Sequence, residues 1–369
     1  MKYYIISGEA SGDLHGSNLM KALLREDKKA DIRFWGGDLM NAVGGTLVKH
    51  YKERAFMGFV EVIFNLRKIF GLISFCKKDI EEFKPDVIIY IDNSGFNLRI
   101  AKRAKKIGFK NYYYISPQVW ASRASRVEKI KRDIDRMFVI LPFEKTFYKK
   151  YNYDVTFVGH PLIDAIADRK QVDESEFRKD HKLGEKPIIA LLPGSRKQEI
   201  TKMLSVMLSI VNNFKDYQFV IAGAPSQSYD FYQNIIGDQP VAFVNNKTYD
   251  LLSISTAALV TSGTATLETA LFKVPQVVCY KGSAISYQIA KRIITLDYIS
   301  LVNLIMDKEV VKELIQSEMN SDNLKFELAK ILKETQRDEL FEAYYELEQK
   351  LGGKGASENV AKSIVSSLK

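Results

Sequence analysis

The chain has 369 residues, of which 46% are hydrophobic and 27% charged, a globular balance that excludes a disordered chain and an integral membrane protein. This length predicts two domains, and the net charge of +9 favours anionic partners such as phosphorylated small molecules or an acidic membrane surface. No nucleic-acid module accompanies the charge, and Cys76 and Cys279 lack metal-ligand spacing, so neither nucleic acid nor a disulfide or zinc site is predicted.

The N-terminus enters a short strand at residues 3–6 at once and leaves no room for a signal peptide, which predicts a cytoplasmic chain. A glycine-punctuated turn follows, but its glycines recur at every fourth position and do not form the dinucleotide-binding pattern. The turn either brings a ligand close to the backbone or is a tight βα turn with Asp13 as a helix cap. The candidate ligand-binding residues of this loop are Gly8, Glu9, Ser11, Gly12 and Asp13.

Residues 56–76 form an apolar run that Glu61, Arg67 and Lys68 interrupt, so it is not a credible transmembrane span. On a helix its polar residues share a narrow stripe, and large apolar side chains cover the remainder. Such a helix either packs inside a domain or contacts lipid, and its basic flank keeps the second alternative open. The candidate membrane contacts are Met57, Phe59, Val60, Ile63, Phe64 and Phe70.

After a strand at residues 32–35, a fully apolar strand over residues 85–92 ends in Asp92. The carboxyl ends of strands in open α/β sheets border the ligand crevice, so Asp92 is the candidate general base, with helix capping as the alternative. Strands at residues 111–115, 136–141 and 155–158 follow, and the last closes on His160. His160 either acts at the cleft or is a satisfied structural histidine. The polar, charged region 168–186 is the predicted interdomain linker.

The βα alternation restarts with a strand at residues 188–192, and further strands are predicted at 218–222, 241–243, 257–261 and 276–280. The strands at 188–192 and 257–261 each run through a small glycine-bearing turn into a helix, which directs unpaired N–H groups at a ligand. Arg196 beside the first turn can pair with phosphate oxygens, and Glu268 in the second helix can accept from ribose hydroxyls. Together they predict a nucleotide-diphosphate site, although each turn alone is also compatible with simple βα geometry. The charged segment beyond residue 307 predicts helices, the last of which docks back on the first domain.

Several longer segments resemble the lipid-A-disaccharide synthase family, which are bacterial glycosyltransferases of the two-Rossmann-domain (GT-B) fold. The matching segments span almost the whole chain and are peculiar to that family. They are Ser7-Gly-Glu-Ala-Ser-Gly-Asp13, Met57-Gly-Phe-Val-Glu-Val62, Tyr90-Ile-Asp92 with Phe96-Asn97, Ser116-Pro-Gln-Val-Trp-Ala121, Leu141-Pro-Phe-Glu-Lys145, Val158-Gly-His-Pro161, Leu192-Pro-Gly-Ser-Arg196, Ser262-Gly-Thr-Ala-Thr-Leu-Glu268 and Asp297-Tyr-Ile-Ser-Leu-Val-Asn-Leu304.

The resemblance implies an α/β fold with two Rossmann-like domains that face each other across a cleft, and C-terminal helices that dock back on the first domain. Residues 1–170 are then the N-terminal acceptor and lipid-binding domain, and residues 171–345 the C-terminal UDP-sugar-binding domain. Residues 346–369 are the helix that returns to the N-terminal domain.

The reaction that the resemblance implies is inverting transfer of 2,3-diacylglucosamine from UDP to the 6-hydroxyl of 2,3-diacylglucosamine 1-phosphate. The product is the β-1,6-linked disaccharide of lipid A, and UDP is released. The implied partners are the acylated sugars and the anionic surface of the inner membrane, with peripheral attachment at its cytoplasmic face; a homodimer is a further candidate assembly. No Asp-x-Asp pair stands at the cleft, so no cofactor and a metal-independent transfer are predicted.

By position, the resemblance makes Asp92 the essential aspartate and Arg196 the UDP-contacting arginine. It also places His160 beside the acceptor loop. The implied UDP-sugar contacts are Gly194, Ser195, Arg196, Ser262, Gly263, Thr264, Thr266, Glu268 and Asn303. The chain departs from the family at Asn93-Ser94-Gly95, where a second Asp is frequent, at Ser122, where Trp is usual, and at Val302, where Pro is usual. None of these positions carries an assigned chemical role, but the rim of the acceptor pocket differs.

Three rival functions use the same nucleotide turns. A UDP-sugar 2-epimerase needs acid–base carboxylates but no acyl-binding surface, so detergent-dependent activity on lipid substrates separates it from the synthase. A second rival is a related glycosyltransferase for another lipid-linked acceptor, and the paired-glycine loop motifs usual in that family are absent from this sequence. A nucleotide-sugar sensor would bind UDP and be indifferent to Asp92→Asn.

Overall fold

The computed structural model describes residues 1–54, 66–122, 124–282 and 297–369. They divide into two compact units: unit 1 comprises Met1–Asp164 with Leu351–Lys369, and unit 2 comprises Ala165–Lys350. Each unit contains a parallel sheet with flanking helices, so the predicted α/β class with two Rossmann-like domains is confirmed. The sequence analysis placed the two domain boundaries at residues 170 and 345, and the units of the structure divide at residues 164 and 350.

The sheet of unit 1 contains seven described strands, all parallel, in the order β3-β2-β1-β4-β5-β6-β7. The two central strands are buried except at Lys2, because helices cover both faces of a parallel sheet. The strands are β1 (Lys2–Ser7), β2 (Asp31–Gly36), β3 (Thr46–His50), β4 (Val87–Ile91), β5 (Lys110–Tyr114), β6 (Arg136–Val139) and β7 (Thr156–Phe157).

The helices of unit 1 alternate with these strands, and the last one returns from the end of the chain. They are α1 (Ala10–Glu26), α2 (Asp38–Val43), α3 (Leu66–Phe83), α4 (Ser94–Lys106), α5 (Val119–Ser122), α6 (Val127–Asp133), α7 (Pro142–Lys149), α8 (Pro161–Ala167, which crosses the unit boundary) and α17 (Ala356–Leu368), with 3-10 turns at Tyr51–Arg54 and Ala124–Arg126. Helix α17 buries Val360 and Ile364 in the same core cluster as Leu19 and Leu23 of α1. The C-terminal segment therefore completes the core of unit 1.

Unit 2 repeats this plan with six described parallel strands in the order β10-β9-β8-β11-β12-β13. The strands are β8 (Ile188–Leu192), β9 (Gln218–Gly223), β10 (Ala242–Asn245), β11 (Ser255–Thr261), β12 (Gln276–Tyr280) and β13 (Glu313–Ile315). Its helices are α9 (Glu174–Asp180), α10 (Lys197–Leu208), α11 (Tyr229–Ile236), α12 (Thr248–Ser253), α13 (Thr264–Leu271), α14 (Leu301–Met306), α15 (Ser321–Ile331) and α16 (Glu334–Lys350), with a 3-10 turn at Val211–Asn213.

The sequence analysis did not predict two edge strands, and it placed one packed helix in the interdomain linker. Strand β3 is half-exposed and β13 has three residues, so neither carries the long apolar run that marks a central strand. Helix α9 lies inside the predicted linker and buries Phe177 in the core of unit 2, so that part of the expected linker is packed structure.

The strand order of each sheet reverses beside its first strand, between β1 and β4 in unit 1 and between β8 and β11 in unit 2. Such reversals open a crevice beyond the carboxyl ends of the strands, where α/β proteins bind ligands. The four segments that carry most candidate site residues follow these four strands.

Candidate functional site

Asp92 follows β4 in a left-handed backbone conformation with φ of 46°, and Asn93 has φ of 43°. Non-glycine residues rarely adopt this region, and they keep it where the surroundings fix the backbone. The Asp92 carbonyl accepts hydrogen bonds from the Asn97 side-chain amide at 2.8 Å and from the Tyr113 hydroxyl. The Asp92 N–H donates to the Tyr114 carbonyl at 3.2 Å. The hydrogen bonds of Asn97, Tyr113 and Tyr114 thus hold one strained turn, which presents the Asp92 side chain at the end of the strand.

The Asp92 carboxyl is exposed at this edge of the sheet. Partial loss of hydration raises its pKa, and the negative charge of Glu9 raises it further, while the N–H of Asn93 opposes both effects. Glu9, from the loop after β1, is therefore electrostatically coupled to Asp92. A carboxyl group with a raised pKa is suited to accept a proton from a hydroxyl.

The loop after β1 and the first turn of α1 contain both accessible and buried candidates. Glu9 and Ser11 are exposed and Gly8 is half-buried, so these residues are available to a ligand. Gly12 lies against β1, because a Cβ atom there would come within 2.5 Å of the Ser7 hydroxyl oxygen.

Asp13 serves the structure of unit 1 and does not face a ligand, contrary to its assignment to the acceptor loop. Its buried carboxylate accepts the N–H groups of Gly37 at 2.7 Å and of Leu39 and Met40 at 3.0 Å. These donors lie in the turn after β2 and in the first turn of α2. Asp13 thus caps α2, whereas the sequence had suggested a cap of its own helix.

His160 is also structural in this geometry. The side chain is buried, and its Nδ1 accepts the Leu162 N–H at 3.2 Å. The His160 N–H donates to the carbonyl of Leu351 at 2.9 Å, which connects β7 to the returning C-terminal segment. Burial, and to a smaller extent His15, lowers the pKa of His160 to about 3. A buried, neutral His160 with these backbone contacts fits the structural alternative that the sequence left open.

In unit 2, the loop after β8 contains a glycine in the left-handed region and accepts two hydrogen bonds from the loop after β9. Gly194 has φ of 104°, and a Cβ there would lie 3.1 Å from Oε2 of Glu199. The Ser195 carbonyl accepts from the Ser226 hydroxyl and from the Gln227 amide, both at 3.2 Å. The loop after β9 thereby fixes the peptide that precedes α10.

The Arg196 guanidinium lies at the N-terminus of α10 and is 81% exposed. Its Nη1 pairs with Oε1 of Glu199 at 2.7 Å, one turn into the helix. An exposed pair of this kind is weak in water, so the guanidinium can exchange this carboxylate for an anionic ligand at small cost. The positive end of α10 favours an anion at the same place.

The loop after β11 turns some of its side chains inward. The Ser262 hydroxyl donates to the Ile299 carbonyl at 2.9 Å, and the buried Thr266 hydroxyl donates to the Gly263 carbonyl at 2.8 Å. Gly263 and Thr264 are exposed at the start of α13. Of the predicted contacts in this turn, Gly263 and Thr264 are accessible, while Ser262 and Thr266 stabilise the turn.

Glu268 lies half-buried on α13. Its Oε1 accepts the hydroxyl of Tyr249 from α12 at 3.0 Å. Burial raises the pKa of Glu268, and the hydrogen bond from Tyr249 opposes that rise. The second carboxylate oxygen, Oε2, has no hydrogen bond to the described residues.

Asn303 does not offer its side chain to a donor sugar in this structure, contrary to the predicted contact. It is fully buried, and its Nδ2 donates to the Val311 carbonyl at 2.8 Å and to Glu313 at 2.9 Å. Its Oδ1 accepts the N–H groups of Val310 and Val311 at 2.8 and 2.9 Å. This uses the ordinary hydrogen-bonding capacity of the amide.

Glu313 completes this buried network. Its carboxylate accepts from the N–H groups of Ile299 and Ser300, each at 2.9 Å. Because Ser262 binds the Ile299 carbonyl, the network connects α14 and β13 to the candidate nucleotide turn. Asn303 therefore acts on that turn through the backbone of Ile299.

Of the predicted membrane contacts, Phe70 lies on α3 and is 58% exposed. The opposite face of α3 buries Ile73, Cys76 and Ile80 in the core of unit 1. Met57, Phe59, Val60, Ile63 and Phe64 lie outside the described residues. Exposed Arg67, Ser74 and Lys78 share the solvent side of α3 with Phe70. The described part of α3 thus combines core packing with an exposed aromatic residue on a basic face.

Within the described residues, no helix is long and apolar enough to cross a bilayer. Nor do the described His, Cys, Asp and Glu side chains form a group of three or more arranged to hold a metal ion.

Three supporting residues were not predicted from the sequence. Glu199 had a usable signal, since it stands three residues after Arg196, the spacing of a helix-capping pair. Tyr249 and Glu313 had none, because each meets its partner through the order of strands and helices.

Comparison with known proteins gives a consistent result. A family model described as "Lipid-A-disaccharide synthetase" matches residues 3–367. A protein of Syntrophus aciditrophicus named lipid-A-disaccharide synthase is 40% identical over 375 residues, covering 99% of this chain and 97% of the relative.

Two solved structures share the fold at low sequence identity. The kitacinnamycin glycotransferase is 13% identical with a TM-score of 0.67, covering 100% of this chain and 99% of the other. The UDP-GlcNAc 2-epimerase of Neisseria meningitidis, solved with UDP-GlcNAc bound, is also 13% identical with a TM-score of 0.67, covering 100% of this chain and 99% of the other. At this identity the two structures support the fold alone.

Proposed function

Because this chain belongs to the lipid-A-disaccharide synthase family, it is a glycosyltransferase of lipid A synthesis, and we propose which residues perform the transfer. The family reaction joins 2,3-diacylglucosamine, delivered as its UDP derivative, to the 6-hydroxyl of 2,3-diacylglucosamine 1-phosphate. The observation that carries the mechanistic proposal is the exposed Asp92 carboxyl on its fixed, strained turn after β4.

Asp92 is the general base of this proposal. It takes the proton of the acceptor 6-hydroxyl while that oxygen forms a bond to the anomeric carbon of the donor. The bond from the anomeric carbon to the diphosphate oxygen breaks, and the electron pair leaves with UDP. This single displacement inverts the configuration of the anomeric carbon and gives the β-linkage. The raised pKa of Asp92 favours this role, because a more basic carboxylate is a better proton acceptor.

Unit 2 holds the UDP part of the donor. Arg196 pairs with the diphosphate in place of Glu199, and the backbone around Gly194 and Ser195 approaches it at the N-terminus of α10. Glu268 accepts from the ribose hydroxyls, and Gly263 and Thr264 line the same turn. These groups stabilise the developing charge on the leaving diphosphate, so we propose transfer without a metal cofactor.

A micelle assay tests this assignment. UDP-2,3-diacylglucosamine and radiolabelled 2,3-diacylglucosamine 1-phosphate are incubated with the protein in detergent and EDTA, beside Asp92→Asn. We expect labelled disaccharide from the unsubstituted protein, and from the variant UDP binding with turnover reduced by about a hundredfold or more. Full activity of Asp92→Asn would show that another group is the base. Activity that disappears with EDTA and returns with a divalent cation would overturn the metal-independent step.

We also propose that the protein acts at the anionic, cytoplasmic face of the inner membrane, because both sugar substrates carry acyl chains. The basic solvent face of α3, with Phe70 exposed between Arg67 and Lys78, supports this proposal. A second copy of the chain remains a predicted partner, which sedimentation tests.

Vesicle flotation checks the membrane contact. Phe70→Ser is expected to weaken binding to vesicles of anionic lipid by about threefold to tenfold, since one exposed phenyl group leaves the lipid. The matched control is Phe326→Ser, which removes a 68% exposed phenylalanine from α15 in unit 2. Equal effects of the two substitutions would refute α3 as the contact surface.

A further inference from the structure

The carboxylate that we assign to the ribose accepts a hydrogen bond from a tyrosine outside the nucleotide turn. Tyr249 lies in α12, after β10, and Glu268 lies in α13, after β11. The Tyr249 hydroxyl donates to Oε1 of Glu268 at 3.0 Å. In the described part of the chain it is the one donor to this carboxylate.

The aromatic ring of Tyr249 is also held by packing against a neighbouring ring. It packs against Phe272 with ring centroids 5.3 Å apart, and the Arg169 guanidinium lies 4.6 Å from the centroid of that same phenylalanine. Phe272 follows the last turn of α13, so Tyr249 contacts the helix of Glu268 at two points. A ring held in this way places its hydroxyl with little loss of side-chain freedom on ligand binding.

The hydrogen bond differentiates the two carboxylate oxygens. Oε1 is occupied by Tyr249, which fixes the plane of the carboxyl group and leaves Oε2 for a ligand. The bond also favours the ionised form of Glu268, since it opposes the rise in pKa that burial causes. An ionised carboxylate accepts stronger hydrogen bonds from hydroxyl groups than a protonated one.

We propose that Tyr249 is a positioning residue that sets the preference of unit 2 for a ribonucleoside diphosphate, by orienting Glu268 so that Oε2 accepts from the ribose hydroxyls. This inference depends on the proposed function, because it takes Glu268 as the ribose contact. It adds a residue outside the nucleotide turn that controls recognition of the ribose.

The test compares the affinities of UDP and 2′-deoxy-UDP for the full chain by titration calorimetry. The UDP preference, meaning the ratio of the two dissociation constants, isolates the contact to the 2′-hydroxyl. We expect Tyr249→Phe to reduce this preference by about threefold to tenfold, because the contact of Glu268 to the 2′-hydroxyl is weakened but not removed. Tyr229→Phe is the matched control, because the exposed Tyr229 of α11 donates to Gln233 in the same unit. It should leave the preference unchanged.

A pH series provides a second readout that a purely structural role would not change. In Tyr249→Phe the Glu268 carboxyl loses the donor that favours its ionised form, so it protonates at higher pH. UDP binding by the variant should therefore weaken at a higher pH than binding by the unsubstituted protein as the solution is acidified. The phenylalanine keeps the ring packing on Phe272, and circular dichroism verifies the fold.

Glu268→Gln separates failure of this inference from failure of the proposed site. Loss of the UDP preference in Glu268→Gln, with an unchanged preference and pH profile in Tyr249→Phe, overturns the role of Tyr249 and keeps the ribose contact. A full preference in Glu268→Gln overturns the ribose contact and, with it, this inference.

Discussion

Removal of the Asp13 carboxylate should destabilise unit 1 without removing a ligand contact. Both carboxylate oxygens are used: Oδ1 accepts from the N–H groups of Gly37 and Met40, and Oδ2 accepts from that of Leu39. The side chain is 3% exposed, so water does not replace these bonds when the carboxylate is lost.

The size of the effect follows from the number and burial of the donors. A hydrogen bond to a charged group contributes about 1.5–3 kcal/mol, and a buried N–H without a partner costs about 1–3 kcal/mol. Since the bonds are not additive, we expect Asp13→Ala to lower the free energy of unfolding of unit 1 by about 4 kcal/mol. Asp13→Asn keeps one carbonyl oxygen but turns an NH2 group towards one donor, so a loss of about 2 kcal/mol is expected.

Urea unfolding followed by tryptophan fluorescence measures this loss for unit 1 alone, because both tryptophans of the chain, Trp35 and Trp120, lie in that unit. Trp35 also precedes the capped turn by two residues. The matched control is Asp38→Asn, whose side chain is 78% exposed beside Lys52, and it should leave the urea midpoint nearly unchanged because an exposed ion pair stabilises little. An unchanged urea midpoint in Asp13→Ala, together with a raised KM for the acceptor, would refute the structural role.

Two further predictions concern the buried carboxyl group of Glu144 and the exposed guanidinium group of Arg196. Burial raises the pKa of Glu144 from 4.5 to about 7. The folded protein thus keeps a proton that the unfolded chain releases, and stability falls by about 3 kcal/mol as pH rises from about 4.5 to about 7. Glu144→Gln should flatten this dependence in urea titrations at several pH values, and an unaltered slope would contradict the assignment. Arg196→Ala should weaken UDP binding in calorimetry by about tenfold or more and uridine binding little, since the guanidinium contacts phosphate; equal losses for both ligands would place Arg196 elsewhere.

The local sequence was sufficient for the fold class, and it also predicted a location for the candidate site. Apolar runs such as the one that ends at Asp92 predict buried strands, because a parallel sheet covered on both faces requires apolar side chains on both sides. Small, glycine-bearing turns after the central strands predicted where ligands approach, because the carboxyl ends of parallel strands lie at one edge of the sheet. The sequence resemblance then specified the reaction.

The roles of individual side chains depended on distant partners. Asp13 is a candidate ligand by its loop, yet its carboxylate meets a turn 24 residues later in the chain. Asn303 and Glu313 lie 10 residues apart and form one buried network because α14 and β13 fold together. No local pattern encodes these contacts, since each results from the way helices and strands pack.

The sequence by itself therefore determined the two βα repeats, and it predicted Asp92 and Arg196 as candidate site residues at the carboxyl edge of each sheet. Only the tertiary structure decided that Asp13, His160 and Asn303 use their polar groups within the chain, and that Tyr249 supports Glu268. The physical reason is that strand and turn formation depends on neighbours in sequence, whereas the hydrogen-bond partner of a buried polar group depends on which elements pack against it.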